Sequence, residues 1–223
     1  CSACEKGKPS KQPVKNYREK RTTEPLELVH TDIVGPVDKS FGGCRFAIIF
    51  VDDYGRMRKV YTLRQTLEAL WALKQFERDV ARAHGSRIKY LRSVQGGEYT
   101  GKPFSIFEMA RASMITANMG PRYWAEAVRS AVYSLNRAPM RPHNGGTSYE
   151  KWHGETPKLG HLRVFGCTAY FMFQSQQRRK LDDIAWAGVF WGYDEDSPSY
   201  RIFIPENKSV QLSRNVKFDE EDF

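Results

Sequence analysis

The chain has 223 residues, of which 40% are hydrophobic and 13% aromatic, a composition of folded rather than disordered proteins. Its formal net charge of +9 favours polyanionic partners, nucleic acid first, although a generally basic protein shows the same excess. Four cysteines are too few for a disulfide scaffold and no apolar stretch reaches the length of a membrane span, so we expect reduced thiols, an intracellular location and no membrane partner.

The first 21 residues are poor in apolar side chains and rich in lysine, which predicts an extended basic arm; a solvated linker explains the composition equally well. The chain begins at Cys1 rather than Met, so we expect a fragment of a longer polypeptide without a signal peptide. Cys1 and Cys4 have the CxxC spacing of half a zinc site, which alone lacks the four ligands of structural zinc. The candidate nucleic-acid-binding cations are Lys6, Lys8, Lys11, Lys15, Arg18, Lys20 and Arg21.

The next part of the chain alternates strand and helix patterns. Three apolar runs with short connections predict an antiparallel meander. A helix pattern follows, with Thr66 as its expected N-cap and Gly85 as its end, and a further strand comes after it. A strand, a helix and another strand in succession favour a parallel crossover and an α/β sheet. The predicted strands are residues 26–34, 45–51, 58–63 and 88–93.

Helix signals continue past residue 150, and strand signals follow. Residues 105–119 have a helical pattern without a clear start, whereas Pro121 is well placed as the first residue of the next helix. Thr147 and Glu150 fit a capping box that opens a short helix. From His161 onward, closely spaced strands without helices predict a small β-barrel, with a domain boundary near residue 157. The predicted strands of this part are residues 162–173, 187–193, 200–204 and 210–218.

Two phrases carry the main functional signal. Residues 28–36, LVHTDIVGP, place Asp32 on a strand before a Gly-Pro stop, and residues 91–100, LRSVQGGEYT, run from a strand into a glycine turn. With these phrases, a longer series in fixed order resembles the integrase region of copia-type long-terminal-repeat retrotransposon Pol polyproteins. The series is PLELVHTDIVGP, FVDDYGRMRKVY, LRSVQGGEY, MARASM, YWAEAV, YSLNRAP, SYEKWHGETP, HLRVFGC and WGYDEDSPSYRIF.

The resemblance implies an α/β fold class, namely a ribonuclease H-like catalytic core followed by a small all-β SH3-like barrel. It divides the chain into a zinc-module remnant with a basic arm at 1–21, an incomplete core at 22–156 and a barrel at 157–223. Family members join element DNA to target DNA by metal-assisted phosphoryl transfer, for which two divalent ions held by carboxylates stabilise the attacking and leaving oxygens. The resemblance therefore implies Mg²⁺ or Mn²⁺ as cofactor, DNA as a non-specific partner, oligomers and a nuclear location.

The matched catalytic positions are incomplete. Asp32 corresponds to the first metal-binding aspartate of the family, but the second position holds Val94, which has no metal-ligating atom. The family segment that carries the glutamate, namely a strand, a loop and the start of a helix, has no counterpart here, which indicates an internal deletion near residues 104–107. Glu108 is the nearest acid and matches a position beyond the catalytic one. By the same resemblance, Cys1 and Cys4 are half of a zinc module whose histidines lie upstream, so Zn²⁺ is expected only with them.

These observations lead to one hypothesis and three alternatives. The chain is interpreted as an integrase-derived nucleic-acid-binding protein whose polynucleotidyl-transferase activity is lost. The alternatives are a working integrase, which Val94 and the missing segment argue against, a co-opted protein-interaction module, and a non-functional relic of a transposable element. An assay of strand transfer, together with DNA titration of the purified protein, separates them.

Overall fold

The computed structural model describes residues 22–93, 101–140, 143–172 and 185–223. The described chain forms two β-sheets with helices packed on the first of them. Within the described ranges, no helix combines the length and apolar character needed to cross a bilayer. Cys44 and Cys167 are both free thiols.

The first sheet has four strands in the order β3-β2-β1-β4. Strands β1, β2 and β3 form the predicted antiparallel meander, and β4 pairs with β1 in parallel, as the crossover pattern predicted. Strand β4 lies at the edge of the described sheet, and all four of its residues are exposed. The strand bounds are Leu28–Val34 for β1, Phe46–Asp52 for β2, Arg58–Leu63 for β3 and Tyr90–Ser93 for β4.

Four helices accompany this sheet: α1 is Ala69–His84, α2 is Gly101–Thr116, α3 is Trp124–Arg137 and α4 is Ser148–His153. Helix α1 covers one face of the sheet through a cluster that includes Phe50 and Phe76, while α2 and α3 pack against the opposite face with Ile49 and Val128. The part of the sheet formed by β1, β2 and β3 is therefore covered on both faces, as an α/β architecture requires.

The helix ends test the capping predictions. Gly85 ends α1 in the left-handed conformation, and Thr147 and Glu150 form the predicted capping box of α4. The prediction that Thr66 caps α1 is wrong, because a 3₁₀ turn at Thr66–Glu68 precedes the helix. The carboxylate of Glu68 accepts the Arg64 N–H at 2.7 Å and thereby stabilises this entry.

Helix α2 begins four residues before the predicted helical pattern. Pro103 stands at its third position, where the missing amide removes no intrahelical hydrogen bond. Ile106 and Ala110 are almost completely buried in the cluster shared with α3. These two side chains thus pack α2 into the core, whereas Tyr90 and Leu91 of β4 are exposed.

The second sheet contains five antiparallel strands in the order β8-β7-β6-β5-β9. The prediction of four strands is corrected, because residues 210–218 contain two strands separated by a turn. The later of these strands, β9, pairs with β5 on the far side of the sheet. The bounds are Thr168–Met172 for β5, Ala185–Tyr193 for β6, Tyr200–Ile204 for β7, Ser209–Ser213 for β8 and Val216–Asp219 for β9.

Aromatic side chains join the second sheet to the helical layer. The Tyr133 ring of α3 stacks on the Tyr193 ring of β6 with centroids 3.9 Å apart. At the other end of α3, Phe41 makes edge contacts with Trp191 and Phe203 at 5.5 and 5.1 Å. These desolvated ring contacts fix how the two sheets meet along α3.

Candidate active site

Asp32 lies on β1, where it is opposite Ile49 of β2 and remains partly exposed. On its other side, β1 pairs in parallel with β4, and the last described pair joins Thr31 to Ser93. Asp32 and Val94 each follow this pair by one residue, although Val94 itself lies outside the described residues. The fold therefore keeps β1 and β4, the two strands that the predicted site needs, side by side. The residue that follows β4, at the position of the second aspartate, is a valine.

The third acid of the predicted site has no structural replacement in the described chain. Only seven residues, 94–100, separate β4 from α2, too few for the strand, loop and helix start that the family resemblance implies. Glu108 is exposed on α2. Across the described residues, no three His, Cys, Asp or Glu side chains come together in a way that could hold a metal ion. Among the described residues, the donors around Asp32 therefore do not fit a pair of divalent ions, which need several oxygen ligands.

Two adjacent acids outside this site have a structural role that the sequence analysis missed. Asp52 is buried and accepts the N–H groups of Leu26 at 2.8 Å and Gly55 at 2.6 Å. Burial raises the pKa of Asp52, and the two backbone hydrogen bonds oppose that change. Its carboxylate thereby closes the turn after β2 and holds the entry to β1. In the sequence, the local signal for this role is the run of two acids before Gly55.

Asp53 connects the same turn to β1. Its carboxylate lies 3.0 Å from the Arg56 guanidinium, 3.3 Å from Nε2 of the buried His30 and 3.0 Å from the Thr22 hydroxyl. Although burial acts to raise the pKa of Asp53, Arg56, Thr22 and His30 together lower it. His30, only two residues before Asp32, therefore pairs with a structural carboxylate.

The remaining predicted site residues lie outside the described chain, so their roles stay predictions. They are the zinc half site and the cations of the basic arm, namely Cys1, Cys4, Lys6, Lys8, Lys11, Lys15, Arg18, Lys20 and Arg21.

Comparison with known proteins identifies relatives along the whole chain. Residues 167–223 match the family model of the retroviral polymerase SH3-like domain. The chain is 31% identical over 226 residues to the Retrovirus-related Pol polyprotein from transposon TNT 1-94 of Nicotiana tabacum, which covers 87% of this chain and 17% of that protein. It is 27% identical over 251 residues to the corresponding polyprotein from transposon RE1 of Arabidopsis thaliana, which covers 100% of this chain and 17% of that protein. The chain thus spans 17% of the length of these curated relatives. The predicted resemblance to a retrotransposon integrase region is confirmed.

Two solved structures are also similar. A simian T-cell lymphotropic virus intasome in complex with a PP2A regulatory subunit has a TM-score of 0.46 at 12% identity, with 91% of this chain and 84% of that chain covered. The HTLV-2 integrase catalytic core domain in complex with magnesium has a TM-score of 0.44 at 15% identity, with 60% of this chain and 100% of that chain covered. The predicted fold class, an α/β core followed by an SH3-like β domain, is confirmed by the two sheets of the structure and by the family model that matches residues 167–223.

Proposed function

We propose that this chain is a nucleic-acid-binding remnant of a copia-type retrotransposon integrase and lacks strand-transfer activity. The observation that carries the proposal is the incomplete metal site. Asp32 directly follows the last described residue pair between β1 and β4. The position of the second metal-binding aspartate holds Val94. Only seven residues separate β4 from α2, where the family has the segment that carries the third acid. Two divalent ions share several carboxylates in such reactions, so a single aspartate would not position them.

Nucleic-acid binding is supported by charge rather than by a shaped active site. The excess of nine positive charges attracts a polyanion without sequence preference, and neutralised phosphates release counterions. We further propose the domain limits 22–156 for the core and 157–223 for the barrel, and a nuclear location. These limits are supported by the order of the strands, since all strands of the first sheet precede residue 157 and all strands of the second sheet follow it.

A strand-transfer assay with labelled DNA ends tests the loss of activity. We expect no joining by the purified chain in Mg²⁺ or Mn²⁺, and none by the Val94→Asp variant, because restoring one aspartate leaves the third acid missing. An active retroviral integrase serves as the positive control. Joining that disappears in Asp32→Asn would show that a working metal site survives.

DNA titration tests the binding part of the proposal separately. Fluorescence anisotropy should show sequence-independent binding whose logarithmic affinity falls linearly with the logarithm of salt concentration. Failure to bind DNA at low salt would contradict the proposal even if strand transfer is absent.

A further inference from the structure

Two exposed cationic side chains flank an open space in the loop between β1 and β2. Gly43 has a φ of +84°, in the left-handed region that favours glycine, so no side chain projects from this position. The point where a Cβ of Gly43 would lie is 3.7 Å from Nε of Arg64 and 3.7 Å from Cε of Lys39. These two atoms are therefore separated by at most twice that distance, and both residues are exposed to solvent.

Two further exposed arginines extend this surface. The Arg45 N–H donates to the Leu63 carbonyl at 2.8 Å, which places Arg45 beside Arg64 at the end of the β2–β3 pair. The guanidinium carbon of Arg122 lies 5.2 Å from the ring centroid of Phe41, and the Arg122 carbonyl accepts the Phe41 N–H. Phe41 belongs to the loop between β1 and β2. We call the four residues the cationic cluster: Lys39, Arg45, Arg64 and Arg122.

The cationic cluster carries more positive than negative charge. Among the described residues, none of its four cations forms an ion pair with a carboxylate. The acids nearest to it along the chain are Asp38 and Glu68, and the Glu68 carboxylate accepts the backbone N–H of Arg64 rather than its guanidinium. Four cations thus stand beside two acids, which leaves a local positive excess for an external anion.

The loop that presents Lys39 is held in place by its own hydrogen bonds. The Ser40 N–H donates to the Cys44 carbonyl at 2.8 Å, and the Cys44 N–H donates to the Ser40 hydroxyl at 2.9 Å. The Trp124 indole donates to the Asp38 carbonyl at 2.8 Å, which attaches the loop to the start of α3. Because the loop backbone is fixed in advance, a ligand meets a smaller cost of ordering it.

The chemistry of the cluster selects an anionic ligand that is rich in oxygen acceptors. Ammonium and guanidinium groups donate hydrogen bonds and do not accept them. Phosphate oxygens accept from both groups in charge-assisted hydrogen bonds. The cations of the cluster are exposed, so a long polyanion can reach several of them at once. The phosphate backbone of a nucleic-acid duplex has this form.

We propose that the cationic cluster binds the phosphate backbone of duplex DNA, with phosphate oxygens accepting from Lys39 and Arg64 over Gly43. The inference rests on the proposed function, that the chain binds nucleic acid, and adds a surface of the core to it. Contacts of this kind position a duplex without reading its sequence, in keeping with the sequence-independent binding proposed above.

Anisotropy titrations of a labelled DNA duplex with the full chain, over a range of salt concentrations, test the inference. Lys39→Met and Arg64→Met should each flatten the slope of log affinity against log salt by about 0.9, because each removes one neutralised phosphate. The double variant should flatten the slope about twice as much, since the two contacts release counterions independently.

Arg87→Met is the matched control. Arg87 is exposed and, like the cluster, forms no ion pair among the described residues. It precedes β4, which pairs with the start of β1 at Leu28, whereas the cluster lies near Ala47, which pairs with Val34 at the end of β1. The length of β1, roughly 20 Å, separates these two ends of the sheet. Arg87→Met should therefore leave the slope unchanged.

Gly42→Glu is an independent variant that keeps all four cations. A Cβ at this exposed position meets no atom within 4 Å, so the chain accommodates the new side chain. Its carboxylate beside the cluster should weaken duplex binding at low salt. Thermal melting of every variant should match the wild type, because the changes are at exposed positions. Gly42→Glu provides the binding test if a methionine variant does not fold.

Slopes of Lys39→Met and Arg64→Met equal to that of Arg87→Met would overturn the inference, while salt-dependent binding by all of these proteins would leave the proposed function intact. Calorimetric titration with inorganic tripolyphosphate distinguishes a small-anion site. Weaker tripolyphosphate binding by the variants, together with an unchanged slope on duplex DNA, would also overturn the inference. Absence of any DNA binding by the wild type would contradict both proposals.

Discussion

The side-chain amide of Asn136 binds the backbone of Arg58 with two hydrogen bonds. Its Oδ1 accepts the Arg58 N–H at 3.0 Å, and its Nδ2 donates to the Arg58 carbonyl at 2.8 Å. Asn136 is only 3% exposed, so neither bond is readily replaced by water. One amide thus occupies the outer edge of β3 as a neighbouring strand would, and it ties helix α3 to the sheet.

Asn136→Ala should lower the free energy of unfolding by about 2–4 kcal/mol, because it leaves a buried N–H and a buried carbonyl of Arg58 unpaired. Urea denaturation followed by circular dichroism measures the change. Asn207→Ala is the matched control, since Asn207 lies exposed in the turn between β7 and β8 and accepts only local bonds from Ser209. Equal losses in the two variants would contradict the bridging role of Asn136.

The contrast between Thr147 and Asn136 shows what the sequence predicts about this fold. The capping box of Thr147 and Glu150 depends on residues three apart, so the local pattern was sufficient to predict it. The bond between Asn136 and Arg58 joins residues 78 positions apart, and no periodicity contains that information. The α/β order was predictable for the same reason as the cap, since it follows from successive local patterns.

Ile106→Ala should destabilise the core by about 2–5 kcal/mol, because it removes a buried side chain and leaves a cavity. Ile106 is 1% exposed in the cluster shared with Ile49 and Val128, whereas Ile115 on the same helix is 72% exposed. Ile115→Ala therefore serves as the control and should have little effect. Chemical denaturation of both variants distinguishes a packed α2 from a loosely attached one. If Ile106→Ala left the free energy of unfolding nearly unchanged, α2 would not stabilise the core.

Deleting residues 1–21 should flatten the salt dependence of DNA binding. The segment contains seven lysine and arginine side chains, and each neutralised phosphate contributes about −0.9 to the slope of log affinity against log salt on duplex DNA. Anisotropy titrations of the full and shortened chains over a range of salt concentrations give the two slopes. An unchanged slope would assign DNA binding to the rest of the chain and leave the segment as a linker.

The candidate sites differ in how far sequence predicts them. The proposed loss of the metal site rests on Val94 and the missing segment, because a motif at a known place carries its chemistry in residue identity. The buried, unpaired N–H groups of Arg58, Trp191 and Arg201 were not predicted, because these residues come from strands of two different sheets. Their missing partners become visible only when burial and hydrogen bonds are known. Unpaired groups of this kind are a property of packing rather than of any one segment.

His161 should make stability depend on pH in the weakly acidic range. Its Nε2 lies 2.7 Å from the Tyr133 hydroxyl. Burial, followed by the charges of Arg137 and Arg163, lowers the pKa of this imidazole below its usual 6.5. The unfolded chain then binds more protons than the folded chain as pH falls below that value. Stability is therefore greatest above about pH 6.5 and decreases as the solution is acidified through the folded-state pKa.

Comparison of the wild type with His161→Gln isolates this contribution. Glutamine offers the Tyr133 hydroxyl a polar partner but does not titrate, so the drop in urea midpoint between about pH 7.5 and about pH 5.5 should be smaller in the variant. His84 and His153 also have lowered pKa values, caused first by burial, and they contribute in the same direction to both proteins. Their effect cancels in the difference between the two proteins. An equal drop in both would show that the imidazole of His161 is as easily protonated in the folded chain as in the unfolded one.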